Sequence, residues 1–354
     1  MLGSADVWLT RVPFVKPFTT ANGVQVSRNA VILRLTDVDG VDGWAECVAD
    51  STPYTSPESA ASAFAALATD LDGILRWPDS QLRPMIAATV EGALSDLSAR
   101  RQGRSLATEY GGSPGTVEVG AVIGDEPIDR TIEMVEQRIR NGYRRIKLKQ
   151  SGNDWSRIAA VRSTFPDAPL AVDANGSLHL DELDIAAVDR LDLVFVEQPF
   201  PAAAYDEHRR FRERSTTPVC LDESIRSLSE LDEAGPDAGA IIAVKPGPLG
   251  GVARAGEVAR RARELGLGVL VGGMLETGIG RGHALAFARS APTTEPADLP
   301  GSAHYLASDL TERWSVEQGA IAVPDRPGFG QDVDLAILER LADFHHHAPG
   351  PASP

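Results

Sequence analysis

Five short apolar runs in this chain each end on a charged residue, at Lys149, Asp173, Glu197, Asp222 and Lys245, with separations of 24, 24, 25 and 23 residues. No other feature restricts the fold as tightly, because that interval is one βα unit: a strand, a crossover helix and two turns. The runs VEVGAVI, RRIKLK, LAVDA, LVFVEQP, VCLDES, IIAVKP and VLVGG have the near-continuous apolar character of strands buried on both faces. Between them lie amphipathic stretches such as Asp181–Arg190 and Val252–Leu265. Seven such units, with a weaker eighth strand near Ala297–Pro300, predict an α/β fold whose parallel strands close into a barrel.

The remainder of the chain follows other rules. Residues 1–112 read as an α+β unit. Strand patterns at Ala5–Val12, Asn29–Leu35 and Gly43–Val48 form a small meander with a turn at Asp39-Gly40, followed by helices over about 57–75 and 82–101. Residues 113–301 are assigned to the barrel, after the breaker-rich stretch Gly111–Gly115. Residues 302–340 lose the βα rhythm, and Trp314–Val323 has the pattern of strands returning to the first unit. Residues 341–354 are expected to be a disordered Pro-rich tail, whose His345, His346 and His347 read as solvated rather than as metal ligands.

The formal charge of −16 and pI near 4.9 argue against nucleic acid and anionic membranes as partners. An anionic small substrate must therefore be met by local positive charge or a metal. Cys47 and Cys220 both sit in apolar runs and read as buried, reduced thiols. The sequence shows no secretory leader and no apolar stretch of membrane-spanning length, which points to the cytosol; a homo-oligomer is compatible with everything above.

In a barrel the C-terminal strand ends ring a single mouth, so residues far apart in sequence converge. With Val117–Ile123 as the first strand, Lys149 ends the second and Lys245 the sixth, diametrically opposed in an eight-membered ring. Asp173, Glu197 and Asp222 end the third, fourth and fifth, lining one wall between the lysines. Three converging carboxylates repel by about 4 kcal/mol per pair at about 4 Å and an effective dielectric near 20. A dication removes that cost, and an all-oxygen ligand set selects Mg²⁺, with Mn²⁺ as the substitute. A single strand-end acid is more often a helix cap; three in succession between two lysines are not. Lys147 and Lys149 lie two apart on one strand and share a face, so each ammonium disfavours the other's charge and favours a lysine able to act as base. Gly272-Gly273-Met274 ends the seventh strand, where small residues let backbone approach the mouth closely.

Taken together, IKLK, VDAN, VEQP, LDES, VKPG and GGMLETGIGR, with WAEC in the first unit, resemble the enolase superfamily, muconate-lactonizing subgroup. The likeness runs from about residue 6 to 335 and is nearest to the o-succinylbenzoate synthase/N-succinylamino acid racemase family. The resemblance implies a (β/α)7β TIM-like barrel with an α+β capping domain formed by the N-terminal region and the C-terminal segment. It implies Mg²⁺ on Asp173, Glu197 and Asp222, Lys149 and Lys245 as acid/base groups on opposite faces of a small carboxylate substrate, and Lys147 helping to hold the carboxylate. Asn175 and Glu223 would lie near the metal. Loops Pro13–Gly23 and Ala49–Pro57, with Phe14, Phe18, Tyr54, Met274 and Glu276, would shape the pocket.

The chemistry implied is removal of a proton next to a carboxylate, giving an enediolate that is either dehydrated or reprotonated. An o-succinylbenzoate synthase of menaquinone biosynthesis is the leading expectation and an N-acylamino acid racemase the alternative. Val122, Gln150-Ser151-Gly152 and Ser302 depart from the family pattern around the mouth, which leaves the substrate open. Acid-sugar dehydratases would want a His at the end of the seventh strand, and dipeptide epimerases an Asp-x-Asp on the eighth; neither is read here. A barrel kept only for binding would be expected to have lost a lysine or an acid, and all five are present.

Overall fold

The computed structural model describes residues 1–20, 23–49, 55–70 and 83–350. Three antiparallel strands, β1 (Leu2–Thr20), β2 (Gly23–Asp37) and β3 (Asp42–Val48), form the expected meander. Gly40 turns the β2–β3 corner at φ 80°, a conformation that costs glycine little. One face of this sheet, with Val31, Leu33 and Leu35, packs on Phe64 and Leu67 of helix Pro57–Ala68 and on Ile86 and Val90 of helix Pro84–Arg101. The first of these helices ends at Ala68 rather than near 75: the Thr69 hydroxyl turns back onto the Ala66 carbonyl at 2.7 Å, a local bond that competes with helix propagation.

After two short strands, β4 (Gly115–Glu118) and β5 (Ala121–Ile123), the chain builds a parallel sheet from β5, β6 (Ile146–Lys149), β7 (Leu170–Asp173), β8 (Val196–Glu197), β9 (Val219–Leu221), β10 (Ile241–Val244) and β11 (Gly268–Val271). Its seven strands are ordered as in the sequence. Ala297 and Asp298 bridge both edges, pairing with Val119 beside β5 and with Gly272 beyond β11. First and last strands thus share a neighbour.

The strand period of two divides these residues cleanly. Leu170, Val172, Val219, Leu221, Ile242, Val244, Val269 and Val271 belong to the core that the surrounding helices share. Ala171, Phe195, Cys220, Ala243 and Leu270 form a separate buried cluster inside the ring. Each fully buried Leu, Ile or Val contributes roughly 1.5–3 kcal/mol, so this sorting fixes the register firmly. Two residues further along each interior row stand Asp173, Glu197, Asp222, Lys245 and Gly272: the charged tips continue the inward face. Both cysteines are free and buried.

Two expectations about the C-terminal segment are corrected. The strand at its centre, β12 (Ala320–Val323), pairs with β4 at the barrel's entry rather than with the first sheet. The element that does return to that sheet is β13 (Ala342–Pro349), in residues expected to be disordered. β1 would otherwise present a long unpaired edge, and β13 fills it. The His345 ring stacks on Trp8 at 4.6 Å, and His345 and His347 donate to the buried Asp6 carboxylate at 3.0 and 2.8 Å. Among the described residues no helix is long and apolar enough to cross a membrane.

Candidate active site

Strand register sets the site. Lys149 pairs laterally with Asp173, and Asp173 with Glu197, while Asp222 and Lys245 stand one residue beyond β9 and β10. Lys149 and Lys245 therefore flank the three acids, with β7, β8 and β9 between them. Lys149 Nζ donates to Asp173 Oδ2 at 2.6 Å and to Asn175 Oδ1 at 2.8 Å; Lys245 Nζ donates to Asp222 Oδ2 at 2.5 Å. Lys147 Nζ donates to Glu197 Oε2 at 2.7 Å and to Asp298 Oδ2, and lies 3.5 Å from Asp173 Oδ2. The side chain of Lys147 is 6% exposed, against 13% for Lys149 and 20% for Lys245. The flanking pair reaches the cavity and Lys147 is nearly sealed beneath it.

Asp298 is the site residue that the sequence reading missed. It stands where the eighth strand was expected, joined to Lys147 and to Arg145, whose side chain is only 1% exposed. Arg145, Lys147 and Lys149 alternate along one face, and three inward cations in a row were a signal that further acid was needed. Gln198 was also passed over. Its Oε1 accepts from Asp222 N at 3.0 Å and Ser224 N at 3.2 Å, and its Nε2 donates to Ser224 Oγ at 2.7 Å, so it fixes the loop that presents Asp222. Asn175 and Gln198 hold positive φ values of 44° and 40°, strain of the kind that surrounding bonds at a functional site sustain.

The electrostatics follow from this packing. Burial opposes the charge of Lys147, but Asp298, Glu197 and Asp173 outweigh it and hold its pKa well above the ordinary lysine range. Its charge is thus absorbed by carboxylates, so the expected repulsion on Lys149 is shielded. Burial would raise Asp173 and Asp298 too; Lys149 and Lys147 keep the first far below its usual range, and Arg145 and Lys147 bring the second to about 2. Glu197 goes the other way: burial pushes it well up, Lys147 opposes, and Asp173, Asp298 and Asp222 add to the rise.

Among the described residues no three acidic, His or Cys side chains are already gathered around one point; each wall acid is turned onto an ammonium instead. The donor set still fits a hard dication. The carboxylates of Asp173, Glu197, Asp222, Glu223 and Asp298 meet Lys147, Lys149 and Lys245 at this cavity, and the buried Glu223 Oε2 has no hydrogen-bond partner. A buried carboxylate oxygen without a partner, in an all-oxygen setting, is what Mg²⁺ would relieve.

These groups open into a cavity of about 880 Å³, whose walls also include Asn175, Glu223, Gly273 and Met274, with Phe14 and Phe18 arriving from β1. Arg28 of β2 is a further cavity residue, its Nε donating to the Leu275 carbonyl at 3.1 Å. Glu276 does not line this cavity. It faces a smaller one of about 80 Å³ between the two units, which shares Lys245 and Met274 with the larger, accepts from Met274 N at 2.8 Å and pairs with Arg281 at 2.9 Å, bonds that hold the loop. Gly272 also faces the smaller cavity, and its role is room: a Cβ there would lie 2.7 Å from Lys245 Cε. Tyr54 falls outside the described residues.

The model of the "Enolase C-terminal domain-like" family matches residues 130–337. The chain belongs to the enolase superfamily. It is 37% identical to an o-succinylbenzoate synthase of Geobacillus kaustophilus, over 93% of this chain and 92% of that one. It is 34% identical to an N-succinylamino acid racemase of Thermus thermophilus, over 96% of each. A crystal structure of an enolase-superfamily member from Listeria innocua superposes with a TM-score of 0.87 at 28% identity, covering 98% of this chain and 99% of that one. The chain is thus an enolase-superfamily enzyme, in the o-succinylbenzoate synthase/N-succinylamino acid racemase family.

Proposed function

We propose that this enzyme removes the proton next to a substrate carboxylate in a closed (β/α)7β barrel capped by the α+β unit, and that its principal reaction is the syn-dehydration that forms o-succinylbenzoate. One observation carries the reading: Lys149 and Lys245 flank the acid wall of Asp173, Glu197 and Asp222 at the end of a single cavity. Asp173, Glu197 and Asp222 would hold Mg²⁺, which when bound supplies positive charge to the substrate carboxylate. Lys149, hydrogen-bonded to Asp173 and Asn175, once deprotonated takes the α-proton on its flank and gives it to the hydroxyl that departs from the same face as water. Lys245, on the other flank, stabilises the charge that develops there. Lys147, held charged by Glu197 and Asp298 and reaching the cavity floor, stays protonated and helps to hold the substrate carboxylate from below.

Racemisation of N-succinylamino acids is the second reading, and the same pair of lysines favours it. Inverting a carbon needs a base on one side of the planar intermediate and an acid on the other. The relatives named for each reaction share this chain almost end to end. The test is incubation with the cyclohexadiene precursor of o-succinylbenzoate and with succinylated amino acids, in deuterated buffer with Mg²⁺, followed by NMR. Aromatic product, or deuterium at the α-carbon of a succinylated amino acid, supports proton abstraction. The absence of both signals would sink it.

A further inference from the structure

The helices Val252–Glu264 and Gly278–Ala288 follow β10 and β11, and neither takes a cap bond from its own N-cap side chain: Gly251 and Thr277 hold those positions. Glutamates of the N-terminal unit cap both ends, alone at Val252–Glu264 and together with Asp309, which accepts from Gly278 N at 2.7 Å, at Gly278–Ala288. Glu91, on helix Pro84–Arg101, accepts from Val252 N at 2.7 Å and Ala253 N at 3.0 Å. Glu46, on β3, accepts from Thr277 N at 3.0 Å, Thr277 Oγ1 at 2.6 Å and Gly280 N at 2.9 Å. A carboxylate there satisfies orphan N–H groups and sits at the positive end of the helix dipole.

Both approaches depend on glycine. A Cβ at Gly251 would stand 1.6 Å from Glu91 Oε2, and one at Gly280 would stand 2.8 Å from Glu46 Oε2. Helix Pro84–Arg101 also presses on Gly247, where a Cβ would lie 2.9 Å from Met85 Sδ. The loop that leaves Lys245 begins with one helical turn, Pro246–Leu249, which holds Gly247; Gly250 and Gly251 follow, with φ of 91° and 128°. The lysine's loop is therefore held at its middle and at its far end by one helix of the other unit. Lys149 is held differently. Its strand end is fixed inside the barrel, by Gln150 N on the Asp173 carbonyl at 2.9 Å and by Arg157 on the Lys149 carbonyl.

We infer that Glu91 is a positioning residue for Lys245 alone: through the N-terminus of helix Val252–Glu264 it registers one of the two lysines, and hence one face of the substrate, against the N-terminal unit. The inference rests on the two-lysine reading above. Displacement of a reacting group by about 1 Å costs on the order of 100-fold, so a loosened loop is expected to cost about tenfold or more.

The test follows α-proton exchange of each enantiomer of an N-succinylamino acid in deuterated buffer, with Lys245→Ala assigning the enantiomer that Lys245 serves. For Glu91→Ala, kcat on that enantiomer is expected to fall about tenfold or more with KM unchanged, while the other enantiomer stays within about twofold. Glu91→Gln, which keeps an oxygen acceptor, recovers part of the loss, and Gly251→Ala, which displaces Glu91, reproduces it. Equal losses on both faces, or none, overturn the inference. A wild-type enzyme that exchanges neither enantiomer fails the racemisation reading instead. Positioning is then decided by amide hydrogen exchange in the same variant: faster exchange confined to residues 246–253, with 150–156 unchanged, upholds it, and uniform or absent change overturns it.

Discussion

Replacing Asp298 with Asn removes a buried charge that two cations share, with almost no change in volume. Asp298 accepts from Arg145 and Lys147, and among the described residues it is Arg145's one ion-pair partner; Arg145 Nε and Nη1 already lack hydrogen bonds. Arg145 and Lys147 hold this carboxyl at about 2 instead of its ordinary 3.8, which favours its charged form by roughly 2–3 kcal/mol. Leaving the guanidinium buried without its partner brings the expected loss to about 3–5 kcal/mol. Because the folded pKa is depressed, this stability is present above pH 3.8 and is lost as pH falls through about 2. Urea unfolding should therefore show Asp298→Asn weaker by a near-constant amount between about pH 5 and 8, with the gap to wild type closing below about pH 4. Adding Arg145→Met should restore part of the loss, since deleting both partners costs less than orphaning one. A loss below about 1 kcal/mol, or a double variant weaker than the single, would refute the reasoning.

Two other perturbations have definite signs. Burial outweighs the Thr277 and Gly280 donors at Glu46 and, with Glu276 nearby, raises its carboxyl from 4.5 to about 7; the folded state then binds the extra proton, so stability should fall as pH rises from 4.5 to 7, and Glu46→Gln should flatten that fall in pH-dependent melting curves. Chelation with EDTA should stop turnover and added Mg²⁺ or Mn²⁺ should restore it; turnover indifferent to chelator would leave the acid wall without its proposed ion.

What could be read in advance was whatever depends on local periodicity. The interior row of each strand alternates strictly, so Asp173, Glu197, Asp222 and Lys245 declared their direction through Ala171, Phe195, Cys220 and Ala243 two residues earlier. Asp298 was hidden because the final barrel segment is reduced to single bridges at Ala297 and Asp298, too short to show a pattern, and because its partners lie more than a hundred residues away. The tail failed for a related reason. Residues 342–349 have little strand character of their own and are ordered by a non-local edge, with Asp6 and Trp8 receiving the histidines. Glu276 was read from its motif as a pocket residue, and it pairs with Arg281 of the helix that follows and faces the smaller cavity. The glutamate caps from the N-terminal unit, Glu46 and Glu91, leave no trace at the helix starts they serve except glycines at 251 and 280.

The most direct measurement is stereochemical. Lys149→Ala and Lys245→Ala should each be incubated with the two enantiomers of an accepted N-succinylamino acid in deuterated buffer with Mg²⁺, and the α-proton followed by NMR. Each variant is expected to lose all racemisation and to keep exchange, if any, from one enantiomer only, with opposite preferences in the two. Undiminished racemisation in either variant, or the same preference in both, would contradict the placement of one lysine on each side of the reacting carbon.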